Sequence, residues 1–263
     1  MRGRLLLPIL LMGACSQGSP VETAVDTTAK EGGAQAQVEQ GVPTVDPAAI
    51  GSPVVVQKPP LHRVLQLTPN LYSGAQPKGA EAFQALAEMG IRTVVSVDGA
   101  APDLASADAH GLRYIHVPIG YDGVDSTASA AFAKVMQEAE GPIYFHCHHG
   151  RQRGPAAAAI ALRASTGCDA ETGLQVLKSA GTSKDYPGLW RDVAAWSAAR
   201  PDQEGPVLVE EAKVPSFTAG MAELDRTWDR IKAYHRADWT TDSGALPEGA
   251  LEDASLLLVQ LED

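Results

Sequence analysis

The chain has 263 residues, 44% of them hydrophobic and 20% charged, which suits a folded chain of one or two domains and excludes a wholly disordered or collagen-like one. Its formal net charge is −11, so it lacks the basic footprint of a general nucleic-acid binder. The acidity is local: residues 201–263 hold 14 acidic and 5 basic side chains, whereas residues 61–200 hold 13 and 12 and are nearly neutral.

Arg2 and Arg4 precede the apolar run Leu5 to Met12, which ends in Gly13 and Ala14 before Cys15. A basic segment, a short apolar segment and small residues form an export signal, and the apolar run is too short to remain as a membrane span. Met12-Gly13-Ala14-Cys15 resembles the lipobox of bacterial lipoproteins. That resemblance implies removal of residues 1–14 and lipidation of Cys15. The chain is then exported to the cell envelope and lipid-anchored, with its domain on the periplasmic or extracellular side. Acyl chains hold a membrane by burying methylenes, at about 0.8 kcal/mol each. Residues 15–60 contain no aromatic residue and no sustained period, and read as a flexible tether.

From residue 61 strands and helices alternate. Val64 to Leu67 and Leu71 to Tyr72 are short strands around the turn Thr68-Pro69-Asn70. The spacing predicts a helix over Gly79 to Met89, a β-branched strand over Thr93 to Val97 and a short helix over Asp103 to His110. A strand over Arg113 to Val117 follows, then a helix over Ser126 to Ala139 with Ser126 as its N-cap. Ile143 to Phe145 is a strand, Pro155 to Ser165 an Ala-rich helix, and Asp169 caps a helix reaching Ala180. Leu189 to Ala199 completes the set. The expected fold is α/β: a central, mostly parallel sheet flanked by helices, with its ligand site at the carboxyl ends of the strands.

The loop after the strand ending at Phe145 carries the chemistry. It reads His146-Cys147-His148-His149-Gly150-Arg151-Gln152-Arg153-Gly154-Pro155. A cysteine, five residues, an arginine and then a helix place several backbone N–H groups around one spot, and those groups with the helix dipole bind a tetrahedral anion. The same field favours a thiolate, the nucleophilic form of cysteine. The planar fork of Arg153 suits two phosphate oxygens, and Gly150 permits a backbone shape that a Cβ resists. His148, His149 and Arg151 give the loop a basic rim. Neighbouring residues of one loop rarely converge on a single ion, so these histidines and Cys147 do not read as a metal site. A rhodanese-type sulfur-transfer loop is one residue shorter, and it would need an arginine where Gln152 stands.

On these residues the region 63–200 resembles the cysteine-dependent protein tyrosine phosphatase superfamily, particularly its small dual-specificity-like bacterial members. Asn70-Leu71-Tyr72-Ser73-Gly74 with Gln76-Pro77, then Gly90-Ile91-Arg92-Thr93-Val94-Val95, also looks like the opening of such domains. The resemblance implies a phosphatase-like domain over 61–200 with Cys147 as nucleophile, forming a phosphocysteine. Arg153 and the loop from His148 through His149, Gly150, Arg151 and Gln152 to Gly154 would then bind the phosphoryl group. An upstream aspartate would protonate the leaving oxygen. Asp122 and Asp125 are the candidates, with Asp122 preferred and Asp125 placed to cap the following helix. The substrate would be a phosphorylated protein or a small phosphate ester, with no metal or organic cofactor. Gly154 stands where the family carries Ser or Thr, whose hydroxyl assists the departing thiolate. That departure keeps a second reading in play: a catalytically weak or dead module that binds phosphate or a phosphorylated partner.

Cys168 follows the helix starting at Pro155, which carries it far from Cys147; no bond between the two is expected, and Cys168 reads as a small buried hydrophobe. In the acidic quarter 201–263, Met221, Leu224, Trp228 and Ile231 recur at helical steps over Phe217 to Tyr234, and Leu246 to Leu261 reads as a second helix. This extension is expected to pack on the preceding domain; the alternative is a separate partner-binding hairpin or a negative flap that restricts the site.

Overall fold

In the computed structural model, which describes residues 51–198, 205–240, 247 and 249–262, six strands form one sheet in the order β1-β2-β3-β6-β4-β5. The strands are β1 (Val54–Val56), β2 (Val64–Thr68), β3 (Leu71–Ala75), β4 (Thr93–Ser96), β5 (Arg113–His116) and β6 (Ile143–Cys147). β3, β6, β4 and β5 run parallel, while β1 and β2 add an antiparallel edge, so the sheet is mixed with a parallel centre. Residues 1–14, Cys15 and the tether as far as residue 50 lie outside the described residues. The sheet begins earlier than the sequence suggests: β1 lies within the stretch assigned to the tether and pairs Val54 with Gln66. Its three valines carry no alternation of polarity that would mark them as an edge strand.

The period of two along each strand sorts the core into two layers. On one face Val64, Tyr72, Val94, Tyr114 and Tyr144 meet α1 (Ala80–Glu88) and α2 (Leu104–Ala109). On the other, Leu65, Leu71, Val95, Ile115, Phe145 and Cys147 meet α3 (Ser126–Glu138), α4 (Arg153–Thr166), α5 (Ala170–Ala180) and α6 (Pro187–Ala195). α4 is the central helix. Five of its eight residues from Pro155 to Leu162 are alanine and all eight are buried, so no polar stripe could survive there. Small side chains let it lie close against β3 and β6.

The helix ends follow elementary capping. Asp103 accepts from Ser106 N at 3.0 Å and Asp169 from Thr172 N at 2.8 Å. α3 is capped by Asp125, which accepts from Ala128 N at 2.7 Å; Ser126 is the first helical residue, not the cap. Cys147 and Cys168 are both buried and free, as their separation along α4 requires.

Beyond this core, α7 (Ser216–Arg236) and α8 (Ala250–Glu262) are joined by Arg230, whose Nε and Nη2 donate to Asp253 at 2.8–3.0 Å. The apolar stripe expected on α7 is only partly covered: Met221 and Trp228 remain about half exposed, at 48% and 47%. The burial comes instead through polar contacts, with Thr227 fully buried beneath Arg230.

Candidate active site

β6 ends at Cys147 and α4 begins at Arg153, so the chain turns from strand to helix within five residues. Two constraints shape that turn. Gly150 sits at φ +63°, and a Cβ there would run into the backbone of Gly74 and Ala75 on the adjoining strand. Gln76 N donates to His148 O at 3.3 Å and Gly150 N to Cys147 O at 3.3 Å, closing the loop upon itself. α4 has no side-chain cap. Among the described residues no protein group accepts from the backbone N–H of His149, Arg151, Gln152 or Arg153. Unpaired N–H groups at the end of a helix carry positive potential and await an anion.

Arg153 is held by an acid that lies outside the Cys-x5-Arg loop and carries no motif of its own. Asp98, two residues beyond β4, accepts from Arg153 Nη2 at 3.0 Å and from His148 N at 2.8 Å through the same Oδ2, while its Oδ1 accepts from Ala100 N at 3.2 Å. Burial alone would raise the Asp98 carboxyl, but Arg153 and the two backbone N–H donors hold it below the usual carboxylate range. Burial likewise opposes the charge of Arg153, and Asp98 more than restores it. The Nε of Arg153 is buried with no partner among the described residues. An orphaned charged donor in a loop of unpaired amides is what a bound oxyanion would satisfy. Asp98 was legible in principle, since β4 and β6 are parallel neighbours and an acid just past one strand end lies beside the loop past the other.

The Asp98 turn is itself braced. Ala212 N donates to His116 Nδ1 at 3.2 Å, which leaves Nε2 to donate to Asp98 O at 2.7 Å. The segment leading to α7 thus holds the turn that holds Arg153. His146, on the opposite face from Cys147, takes the hydroxyl of Tyr114 at 2.5 Å, and burial pushes its imidazole down to about 3. It is a neutral strut beneath the loop.

The loop with both candidate acids lies above Arg153. The ring of Tyr121 stacks on the guanidinium at 4.3 Å, and burial raises its phenol, with the neighbouring Cys147 adding to the effect. Tyr186 packs on Tyr121 at 4.9 Å. Val124 N donates to Asp192 at 2.7 Å, and Gly188 gives room for the carbonyl of Asp122. Asp125 is spent on its cap, whereas the Asp122 side chain is exposed.

Other loop residues point elsewhere. Arg151 Nε donates to Gly181 O at 2.7 Å, and Gln152 Oε1 accepts from Ser183 N at 2.9 Å, so both side chains fasten the turn between α5 and α6. His148 and His149 do not form an open basic rim: Asp229 of α7 meets His148 Nε2 at 2.7 Å and His149 Nε2 at 3.4 Å. Gly154 has a steric cause, since a Cβ there would lie 2.9 Å from Cys147 N. Helix and strand are too close for the hydroxyl-bearing residue.

No family model matches the chain. It is 26% identical over 238 residues to the dual specificity protein phosphatase TpbA of Pseudomonas aeruginosa, in two strains, covering 90% of this chain and 92% of the relative. A stretch of that length necessarily contains the Cys147 loop. Among solved structures, crystalline TpbA of P. aeruginosa aligns at 25% identity with a TM-score of 0.47, covering 57% of this chain and 93% of that one. Human DUSP28 aligns at 24% identity with a TM-score of 0.40, covering 54% of this chain and 94% of that one.

Proposed function

We propose that this chain is a cysteine-dependent phosphatase of the protein tyrosine and dual-specificity type, hydrolysing a phosphate monoester through a phosphocysteine. The observation that carries the reading is the pairing of Cys147 at the end of β6 with a buried, Asp98-anchored Arg153 whose Nε has no partner. The similarity to TpbA supports it.

Cys147 Sγ attacks phosphorus in line with the bond to the leaving oxygen. Arg153 and the unpaired amides of the loop hold the three remaining oxygens, whose charge is spread in the transition state. The leaving oxygen takes a proton from Asp122 as the P–O bond breaks. Water then attacks the phosphocysteine, Asp122 takes its proton, and inorganic phosphate leaves with the Cys147 thiolate restored. Tyr121 on Arg153 keeps the Asp122 loop seated, and the capping role of Asp125 supports this choice of acid. Without a hydroxyl at position 154, departure of the thiolate lacks one donor, and the second step is the slow one.

Turnover of para-nitrophenyl phosphate, compared with Cys147→Ser, tests the reading. Turnover by the wild type and its loss in the variant are expected. Phosphate binding without Cys147-dependent turnover would make the chain a binding module instead. Phosphopeptides and small phosphate esters, compared on the same protein, identify the substrate class.

The sequence at residues 2–15 supports export and lipid anchoring through Cys15, and no helix among the described residues is long and apolar enough to cross a membrane. Labelled fatty acid incorporated by the wild type and not by Cys15→Ser is the expected result.

A further inference from the structure

The fold brings four metal-binding side chains together that the sequence keeps 76 residues or more apart in two pairs. His148 and His149 come from the catalytic loop, Asp225 and Asp229 from α7, and one ligand atom of each lies within 4.8 Å of all the others. His148 Nε2 is 2.7 Å from Asp229 Oδ2 and 3.9 Å from Asp225 Oδ2, and His149 Nε2 is 3.4 Å from Asp229 Oδ2. We propose that these four residues bind a zinc-class divalent cation that ties the C-terminal extension to the catalytic loop.

The chemistry of the donors selects the ion. Two imidazole nitrogens and two carboxylate oxygens suit a borderline cation in tetrahedral geometry; an all-oxygen shell for calcium or magnesium is absent. Metal–ligand bonds of about 2.0–2.2 Å set neighbouring donors about 3.3–3.6 Å apart in a tetrahedron. The separations lie on both sides of that value and none exceeds 4.8 Å, so side-chain movements of about an ångström seat the ion. The support is already in place. The ring of His148 is buried, with a side chain only 4% exposed, and its Nδ1 faces Gln76 Oε1 at 3.4 Å, the arrangement that turns Nε2 toward a metal. Asp229 gives its other oxygen to Lys232 at 2.6 Å and presents Oδ2 to both histidines. The two rings stand at 90° with centroids 4.3 Å apart, so their edges converge without stacking. Cys147 is not among the donors, and the proposal stands apart from its chemistry.

The test is calorimetric titration of Zn²⁺ into the untagged full chain carrying Cys147→Ser, which removes the competing thiolate. One equivalent is expected to bind and to raise the melting temperature. Asp225→Asn and Asp229→Asn should each weaken binding at least about tenfold, the loss produced even by removing an outer partner of a ligand. Retention of the metal-free circular dichroism spectrum shows that the variants fold. His149→Gln, at a half-exposed position, gives an independent removal of one donor and should weaken binding alike. The absence of saturable binding below millimolar zinc would reduce the cluster to an ion pair between His148 and Asp229 and overturn the proposal. Binding unchanged in the Asp225→Asn, Asp229→Asn double variant would also overturn it, by placing the ion elsewhere.

Discussion

Replacing Asp98 by Asn changes almost no volume, yet removes the counter-ion of a buried arginine. The two side chains are only 5% and 8% exposed, so solvent cannot screen the loss. Asp98 Oδ2 accepts from Arg153 and from His148 N, while Oδ1 accepts from Ala100 N. An amide has one oxygen, so its NH₂ must face either the Ala100 N–H or the other two donors, and a donor–donor clash replaces a hydrogen bond. Breaking a buried pair in this way costs about 3–5 kcal/mol, which at about 2–4 °C per kcal/mol lowers the melting temperature by about 6–20 °C. The native Asp98 carboxyl lies below its ordinary value of 3.8. Its contribution is therefore complete above that pH and lost as pH falls through the lower native value, so the gap between variant and wild type closes in acid. Differential scanning calorimetry of both proteins, with and without inorganic phosphate, measures this. Phosphate held by the loop amides and Arg153 Nε supplies a negative charge to the guanidinium that the variant leaves without a counter-ion, so it should stabilise the variant more than the wild type. A variant within about 1 kcal/mol of wild type, or a gap that phosphate widens, would refute the assigned role of Asp98.

Gly154→Ser supplies the hydroxyl that the phosphatase family carries, but its Cβ meets Cys147 N at 2.9 Å; a loss of about 1–3 kcal/mol and no gain in turnover are expected, and faster turnover at unchanged stability would contradict this. Asp122→Asn should slow alkyl phosphates far more than para-nitrophenyl phosphate, whose leaving group needs little protonation; Asp125→Ala, which removes the cap, should lower stability by about 1 kcal/mol and leave that selectivity alone. His146 stays neutral in the fold until about pH 3, whereas in the unfolded chain it takes a proton near 6.5. Stability should fall as pH drops between those values, by at most about 1.4 kcal/mol per unit from this group. His146→Gln, which still accepts from Tyr114, should show a shallower slope over that range in urea titrations.

Local rules made the core and the loop legible. The β-branched run at Thr93 to Val97, the cap at Asp169 and the Cys-x5-Arg spacing each depend on neighbours within a few positions. Strand order follows less directly, because β1 is a three-residue edge whose pairing depends on its partner more than on its own pattern. Asp125 displaced Ser126 as the cap of α3 because a carboxylate one residue earlier reaches Ala128 N. The amphipathic stripe of α7 misled for a different reason. Periodicity reports that a face is apolar, not that anything covers it, and in this fold α7 docks through Asp225, Asp229 and Thr227 while Met221 and Trp228 stay half exposed.

The residues of the sequence alone determined that Cys147 and Arg153 share one strand–loop–helix turn, since that turn is contiguous chain and its amides converge wherever it folds. What they could not determine was the company that turn keeps. Asp98 arrives through parallel pairing of β4 with β6, Tyr121 through the loop after β5, and Asp229 through a helix that places it 81 residues downstream of His148. Each is a long-range contact made by packing, and a carboxylate or phenol carries no sign in its own neighbourhood of the charge it will meet. Only the tertiary structure could turn a loop expected to present a basic rim into one whose arginine and histidines already hold acidic partners.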